Sequence, residues 1–467
     1  MPTPPDDRVA RTLRLSVYDG VGYSVMVGAG ESYFVPWAIF LGASNGVLGA
    51  LVAFPQLIGS LSQLATEWLI RLARSRRRLV LWCVSLQALT FVPIFGLTWC
   101  PAHWRSAVLV TSVCAYWTFQ LVAAPAWSSW LGDLVPSAHR GAYFGRRSRV
   151  MQLATFGSML LAGLALTEFR DHRAAWWGFA AIFGLSLLAR LVSFALLWMQ
   201  HESTAATAPD QSAWLSLRRT FENPPRRRLV LYLSSMSFAV YVAAPYFAPF
   251  MLRTRGGGGL AWSYATFTLV TGIAVLSKFV FLPLWGRAAD RFGARRCLVL
   301  SGWLIVALPL PWLVPATWPK AQLVVLLLAQ VWSGLAWAGH ELCSFTFLLE
   351  SAPAAERTRL AAAMSMANGI MLFAGASLGA LLVKLAPLGL NPFLFVFCAS
   401  SALRLLVVAM QVRQLSEVRP MEPISYGSLL FRVVSVRPQA GAVLRFFPPR
   451  PRPPTTTPSD SSSSGRS

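Results

Sequence analysis

Ionisable side chains lie within long apolar stretches of this 467-residue chain: Asp19, Glu31, Lys278, His340 and Glu341. If those stretches cross a membrane, each charge is costly and by default marks a pathway for a substrate, an ion or a proton. The carboxylates and the histidine can bind and release a proton, and they can also bind a cation or a hydroxyl group. The alternative for each is a buried bond to a neighbouring helix.

The positions of these residues suggest different roles. Glu31 lies roughly 25 Å along the first stretch, beyond its midpoint. Asp19 lies about one turn inside the same stretch, where it is expected to cap a helix or pair with arginines. Lys278 lies about two turns inside its stretch, from which its ammonium can extend back toward a loop. His340 and Glu341 point about 100° apart on a helix, so only one is expected to face a central space.

Aromatic residues near these charges are candidates for contact with a solute: Tyr33, Trp37 and Trp337. Their alternative role is packing or a lipid-facing belt. The sequence contains no serine–histidine–acid set, no P-loop and no dinucleotide motif, so an enzyme is not expected. None of the six cysteines forms a CxxC or a Cys/His cluster, so neither a metal site nor a cofactor is expected.

The composition identifies the elements that must position these residues. The chain is 55% hydrophobic and 13% charged, whereas soluble domains carry about 25% charged residues. A soluble enzyme and a disordered chain are therefore excluded. Continuous apolar stretches of about 18 residues or more predict membrane helices. The twelve stretches cover residues 15–40, 44–66, 79–98, 105–130, 150–168, 175–199, 229–251, 261–285, 297–315, 321–348, 360–384 and 391–411.

The basic residues predict how these helices are oriented. With a cytoplasmic N-terminus, 31 of the 41 lysines and arginines fall on the inside and 7 on the outside. Such asymmetry predicts that both termini are cytoplasmic, as in a multi-pass protein of an inner membrane. The net charge of +23 lies in loops between apolar helices, so it does not indicate nucleic-acid binding, and membrane lipid is the expected partner.

The two halves of the chain resemble each other. ESYFVPW at residues 31–37 matches APYFAPF at residues 244–250, and DLVPSAHRG at residues 133–141 matches ESAPAAERT at residues 350–358. These matches predict two pseudo-symmetric six-helix halves in an all-α fold. The expected division is an N-terminal segment (1–14), a first bundle (15–199), a central cytoplasmic loop (200–228), a second bundle (229–412) and a largely disordered cytoplasmic tail (413–467).

The segment GRAADRFGARR, at residues 286–296, resembles the cytoplasmic loop signature of the major facilitator superfamily, G-x-x-x-D-R-x-G-R-R. The matching residues are Gly286, Asp290, Arg291, Gly293 and Arg295. The resemblance implies the superfamily fold and a charge network that holds the cytoplasmic helix ends together in one state. In this network Gly286 is expected to let two helix ends approach closely.

The matching loops of the two halves extend the expected gate. Asp133 and Arg140 align with Glu350 and Arg357, and all four are expected to belong to the inner gate. The loop between the second and third stretches departs from the signature, because Arg71 stands near the position of the aspartate.

The resemblance implies a secondary active transporter that moves a small organic solute by alternating access. A proton is the expected coupling ion, carried by Glu31 or Glu341, although another ion remains open. The alternatives are an uncoupled facilitator and a transporter-like receptor or scaffold. Because relatives are usually monomeric, the resemblance also implies a monomer.

Overall fold

The computed structural model describes residues 7–97, 99–135, 140–171, 175–202, 221–314, 321–351, 354–387, 389–415 and 425–434. Within these ranges every regular element is a helix, and none is a strand. The helical outcome follows from apolar runs that are continuous rather than alternating. Polar caps mark several helix starts, where Ser44, Ser75, Asn223, Ser263 and Asn391 accept hydrogen bonds from backbone N–H groups of the first turn.

The helices form two sets in chain order. The first half contains α1 Asp7–Ala29, α2 Phe34–Phe40, α3 Asn45–Ser62, α4 Thr66–Ala73, α5 Arg76–Leu89, α6 Phe91–Gly96, α7 Ala102–Leu134, α8 Arg140–Asp171 and α9 Ala175–Trp198. The second half contains α10 Pro224–Tyr241, α11 Phe247–Leu252, α12 Tyr264–Phe292, α13 Ala294–Val306, α14 Gln322–Ser351, α15 Ala354–Lys384, α16 Pro392–Gln411 and α17 Tyr426–Val434.

Eleven helices in the described part of the chain are long and apolar enough to cross a membrane. The first span is not among them, because α1 carries Arg8, Arg11, Arg14 and Asp19, which lower its mean hydropathy. Helix α1 nevertheless packs against α8 and α9 inside the first half. The architecture is therefore the all-α, twelve-helix layout in two halves that the sequence predicts.

The same break interrupts the first span of each half. A 3-10 turn at Glu31–Tyr33 separates α1 from α2, and a 3-10 turn at Ala244–Tyr246 separates α10 from α11. Both turns fall on the two copies of the sequence repeat, so the duplication extends to a local backbone irregularity. The break places the Glu31 carboxylate where the helix is interrupted instead of on a continuous helix.

Among the described residues, the apolar cluster that both halves share lies toward one end. One cluster of buried residues contains side chains of both halves, including Trp37, Phe179, Phe250 and Phe397. Toward the other end, separate apolar clusters fill the first half and the second half, and the Ser365 hydroxyl donates to the Gln63 side-chain oxygen across the halves at 2.7 Å. We name the end with Ala43 and Arg253 the closed end, and the end where α1 begins the open end.

In the predicted gate segment, two helices are joined by a tight turn at Gly293. Gly293 has a φ of +95° between α12 and α13, a conformation that glycine adopts without strain. Arg295 donates from Nε to the Leu415 carbonyl at 2.5 Å, and the Arg291 guanidinium lies 5.3 Å from the Phe292 ring. The expected role of Gly286 is wrong, because a Cβ there would meet only the Leu342 side chain, at an ordinary 3.7 Å.

The predicted gate and the predicted tail lie partly outside the described residues. The side chains of Asp133, Arg140, Asp290, Glu350 and Arg357 lie outside the described residues, as do most of the central loop and residues 435–467. Within the tail that the sequence predicts as largely disordered, Tyr426–Val434 is a helix packed on α12 and α13. The reason is apolar burial, since Leu429 on this helix is fully buried.

Candidate functional site

A buried charge cluster lies inside the first half near the open end. Asp19 accepts a hydrogen bond from the Ser193 hydroxyl at 2.5 Å, and the Arg190 guanidinium donates to Ser193 at 3.1 Å. The second carboxylate oxygen of Asp19 lies 3.8 Å from Nη2 of Arg147. Arg147 also donates from Nε to the Ser16 carbonyl at 3.1 Å. Asp19 is thus held among cationic and hydroxyl donors.

Polar side chains continue from this cluster toward the closed end. Arg190 lies 5.2 Å from the centre of the Tyr23 ring, and Gln120 donates to the Tyr23 hydroxyl at 2.5 Å. One turn from Gln120 on α7, the Tyr116 hydroxyl donates to a Glu31 carboxylate oxygen at 2.7 Å. We call this series from Asp19 to Glu31 the polar row.

The polar row borders an internal space. Asp19, Tyr23, Gln120, Arg147 and Arg190 line a cavity of about 220 Å³ within the first half. Such a volume exceeds the ≈ 30 Å³ that one water occupies in the liquid, so the cavity has room for several waters beside the polar row. The cavity lining includes neither Tyr116 nor Glu31, and Asp19 and Glu31 are separated by 12 residues, roughly 18 Å of helix.

A second charged pair lies in the other half. The Lys278 ammonium on α12 contacts the Glu341 carboxylate on α14. Lys278 lies midway along α12 rather than near a loop, so the expectation that it reaches back to the loop is wrong. Its ammonium instead contacts a carboxylate on the neighbouring helix.

The two ion pairs differ in the cost of breaking them. The side chains of Asp19 and Arg147 are 4% and 10% exposed, and removing one partner of a buried pair costs about 3–5 kcal/mol. The side chains of Lys278 and Glu341 are 31% and 51% exposed, and an exposed pair contributes about 0–1 kcal/mol. The contact between Asp19 and Arg147 is therefore costly to break, whereas the contact between Lys278 and Glu341 can break and re-form at little cost.

The remaining predicted residues in the spans occupy different surroundings. His340 is buried between Tyr232 and Trp337, with ring centres at 6.3 and 5.7 Å, while the adjacent Glu341 is exposed. Trp337 is partly buried. Trp37 is 1% exposed and packs at 4.6 Å on Phe179, so it belongs to the closed-end core and lines no open space in this conformation.

Tyr33 joins the two halves. Its hydroxyl donates to the Met159 carbonyl at 2.7 Å and lies 2.7 Å from the Thr268 hydroxyl of the second half. Nearer the end of the bundle, Arg253 donates to the Ala43 carbonyl at 2.8 Å. These bonds, with the shared apolar cluster, hold the closed end together.

Replacing Tyr33 by phenylalanine is expected to shift the protein away from this closed-end state. The change removes the hydrogen bond to Thr268 that crosses between the halves, worth about 1 kcal/mol, which corresponds to a roughly 5-fold change in the ratio of states. The measurement is the labelling rate of an Ala43→Cys thiol by an impermeant maleimide, in a background without the native cysteines. Tyr426→Phe, on the exposed face of α17, is the control. Equal labelling of the Tyr33→Phe protein and the control would contradict the assigned role of Tyr33.

Glu202 occupies a position that the sequence does not identify as functional. Its carboxylate accepts from the backbone N–H of Arg76 at 2.9 Å and of Arg77 at 3.3 Å, and from the Ser75 hydroxyl. A carboxylate at a helix N-terminus is favoured by the helix dipole and the free N–H groups. Glu202 thus anchors the start of α5 beside the loop in which Arg71 replaces the signature aspartate.

Sequence reasoning also missed Tyr23, Tyr116, Gln120 and Arg147. Arg147 counts as a loop residue when only the basic run is considered, yet α8 begins at Arg140 and turns Arg147 inward. The helix phase is the available signal, because Arg146 and Arg149 are exposed whereas Arg147 is buried. The polar residues of α7 carry no such signal, since isolated Tyr and Gln residues are frequent in apolar helices that pack together.

The sequence and the fold have known relatives. The profile of the Major Facilitator Superfamily matches residues 22–260 and 257–451. The citrate-proton symporter of Klebsiella pneumoniae is 26% identical over 185 residues, which are 39% of this chain and 41% of that protein. The chain therefore aligns with about two fifths of the length of this curated relative.

Solved structures share the fold at low identity. The nucleoside transporter NupG has a TM-score of 0.67 at 13% identity, covering 87% of this chain and 100% of that one. The D-xylose-proton symporter has a TM-score of 0.63 at 18% identity, covering 88% and 99%. The xylose transporter XylE from E. coli, in a partially occluded inward open conformation, has a TM-score of 0.57 at 16% identity, covering 88% and 99%. Profile, helices and fold agree: this chain is a multi-pass membrane protein that belongs to the Major Facilitator Superfamily.

Proposed function

We propose that this chain is a secondary active transporter that moves a small organic solute across an inner membrane, coupled to protons. The observation that carries the proposal is the polar row, which connects the paired carboxylate Asp19 near the open end with Glu31 near the junction of the halves. Intramembrane carboxylates in such rows are typical of proton relays. Membership of a superfamily of transporters supports the same conclusion.

The two carboxylates of the row have unequal partners. Asp19 has a cationic partner, because Nη2 of Arg147 lies 3.8 Å from its second carboxylate oxygen. The described hydrogen bond of Glu31 comes from the neutral Tyr116 hydroxyl, which stays compatible with either protonation state of the carboxylate. We therefore assign proton loading to Glu31 and a fixed charge to Asp19.

The two bundles, residues 15–199 and 229–412, would rock about the central space, linked by residues 200–228. The excess of lysine and arginine in the loops of the open end supports a cytoplasmic position for that end and for both termini. The described conformation is then closed to the outside. The tail, residues 413–467, would remain cytoplasmic, and a monomer is sufficient because both halves lie in one chain.

The test is reconstitution of the purified protein in proteoliposomes that contain a pH dye. Citrate, D-xylose and a nucleoside are the first solutes, because the relatives bear those names, and pooled metabolites follow. We expect proton flux that depends on one solute. Solute movement without proton flux would indicate a facilitator or another coupling ion. Absence of both from folded protein would indicate a receptor or scaffold.

A further inference from the structure

We propose that Lys278 binds a carboxylate group of the transported solute, and that Glu341 occupies Lys278 when the solute is absent. This inference rests on the proposed transport function and names its substrate class. Of the three lysines in the chain, Lys278 lies in the middle of an apolar span whereas Lys384 lies at the end of one, and the Glu341 carboxylate contacts Lys278 directly.

Helix geometry directs Lys278 away from lipid. Three exposed apolar residues of α12, Leu269, Leu276 and Val280, form one stripe and are 40–54% exposed, whereas Leu282, 39% exposed, lies one turn after Lys278. At 100° per residue Lys278 lies on the opposite face of the helix. If the stripe faces lipid, the Lys278 side chain, which is 31% exposed, faces away from the lipid.

The helix that carries Lys278 packs against the first half of the molecule. Helix α12 packs on α8 of the first half as well as on α14. Six residues before Lys278, Gly272 lies directly against the Phe156 ring of α8. Lys278 therefore projects from a helix at the interface between the halves, where a solute must bind if both halves are to close on it in turn.

Helix α14 contributes two residues beside the ammonium group. Glu341 is 51% exposed, and Trp337 lies one turn earlier on the same face and is partly exposed. Together, Lys278, Glu341 and Trp337 offer a cation, an exchangeable anion and an aromatic surface. A solute carboxylate can replace the Glu341 carboxylate with the same charge and the same acceptor atoms, since an ammonium donates up to three hydrogen bonds.

The exposed pair is the one suited to this exchange. Breaking the contact between Asp19 and Arg147 would leave a guanidinium that is only 10% exposed without its acid. Lys278 and Glu341 are both open to solvent, so each stays hydrated when the contact breaks. When a solute binds Lys278, releasing the Glu341 carboxylate into water therefore costs little free energy.

The charges of the polar row favour the same substrate class. Asp19, Glu31, Arg147 and Arg190 balance when both carboxylates are ionised. When Glu31 carries a proton, the row has one excess positive charge. A proton and an organic anion therefore bind together more favourably than a proton and a cation.

The experiment measures solute binding by tryptophan fluorescence of the full-length protein in detergent, without any gradient. The probes are lactate, succinate and citrate, each beside its amide. The variants are Lys278→Gln, Lys278→Arg, Glu341→Gln and Lys278→Gln/Glu341→Gln, with Lys384→Gln as the matched surface control. Melting temperature reports folding, and the double variant removes both charges at once in case the single ones unfold.

We expect at least one acid to bind in preference to its amide, and Lys278→Gln to weaken that binding tenfold or more. Glu341→Gln should tighten it several-fold because the internal competitor is gone, Lys278→Arg should retain part of it, and Lys384→Gln should match the wild type. Acid binding unchanged in Lys278→Gln, or equal binding of acids and amides, or no binding of any acid, would overturn the inference.

The two proposals fail separately. The protein could bind acids through Lys278 and still show no proton flux in proteoliposomes. That result would support the carboxylate site and contradict the proposed proton coupling. Conversely, a neutral solute could drive proton flux that is equal in the wild type and in Lys278→Gln. That result would contradict the carboxylate site and support coupled transport.

Discussion

Replacing Asp19 by asparagine is expected to lower the free energy of unfolding by about 3–5 kcal/mol. The variant keeps the size of the side chain and removes the charge that faces Arg147 at 3.8 Å. It also changes the acceptor of the Ser193 hydroxyl, through which Arg190 is connected. Two guanidinium groups would then remain in the interior of the first half without their carboxylate.

The measurement is reversible unfolding of the purified protein in mixed micelles. Glu341→Gln is the control, because it also neutralises one partner of an ion pair but a half-exposed one, with an expected cost of about 0–1 kcal/mol. Asp19→Asn/Arg147→Gln should recover part of the loss, since it removes one of the two stranded cations. Equal stability of Asp19→Asn and Glu341→Gln would show that the buried cluster does not stabilise the fold.

The fold could be predicted because its determinants are continuous along the chain. Long apolar runs fix the spans through the thickness of the bilayer. The copies ESYFVPW and APYFAPF indicate the duplication, and the structure places a helix break on each of them. The charge of α1 did not obscure the first span, since Arg8, Arg11 and Arg14 lie at its start.

The candidate site depends on contacts between distant residues, which the sequence does not encode locally. Lys278 and Glu341 are 63 positions apart in the chain, and only the register of α12 on α14 brings them together. Arg147 differs from its neighbours Arg146 and Arg149 by helix phase alone. Glu202 lies 126 positions after Arg76, whose N–H it caps.

The two halves have diverged in how they use equivalent positions. Tyr232 stands 213 residues after Asp19, and Arg404 stands 214 residues after Arg190. Arg404 donates to the Ile305 carbonyl at 3.1 Å instead of approaching a carboxylate through a serine. Among the described residues no hydrogen-bond partner faces the Tyr232 hydroxyl. The first half thus holds a buried charge network, and the second half holds the exposed pair.

This division assigns different tasks to the halves in the proposed mechanism. Fixed charges in the first half would bias the protonation of Glu31, while the exchangeable pair in the second half would bind the solute. Coupling requires that protonation of Glu31 and binding of the solute both depend on the same conformational change. The junction at Tyr33 and Thr268, next to Glu31 in the chain, would connect the proposed proton carrier to a contact that breaks when the halves move apart.

Replacing Glu31 by glutamine is expected to abolish accumulation of the solute against its gradient and to leave exchange of solute across the membrane. The amide cannot carry a proton, so a proton gradient can no longer drive the conformational cycle. With an imposed difference of two pH units and one proton per solute, the wild type should accumulate solute about 100-fold, because each unit corresponds to 1.36 kcal/mol. The variant should reach a ratio of about 1.

The measurement is uptake of labelled solute into proteoliposomes with and without the pH difference, beside counterflow at equal pH. Glu67→Gln, at the exposed start of α4, is the matched control and should accumulate solute like the wild type. Glu31→Asp should retain partial coupling, because it keeps a carboxylate within reach of the Tyr116 hydroxyl. Accumulation by Glu31→Gln equal to the wild type would exclude Glu31 as the proton carrier and leave Glu341 as the remaining candidate.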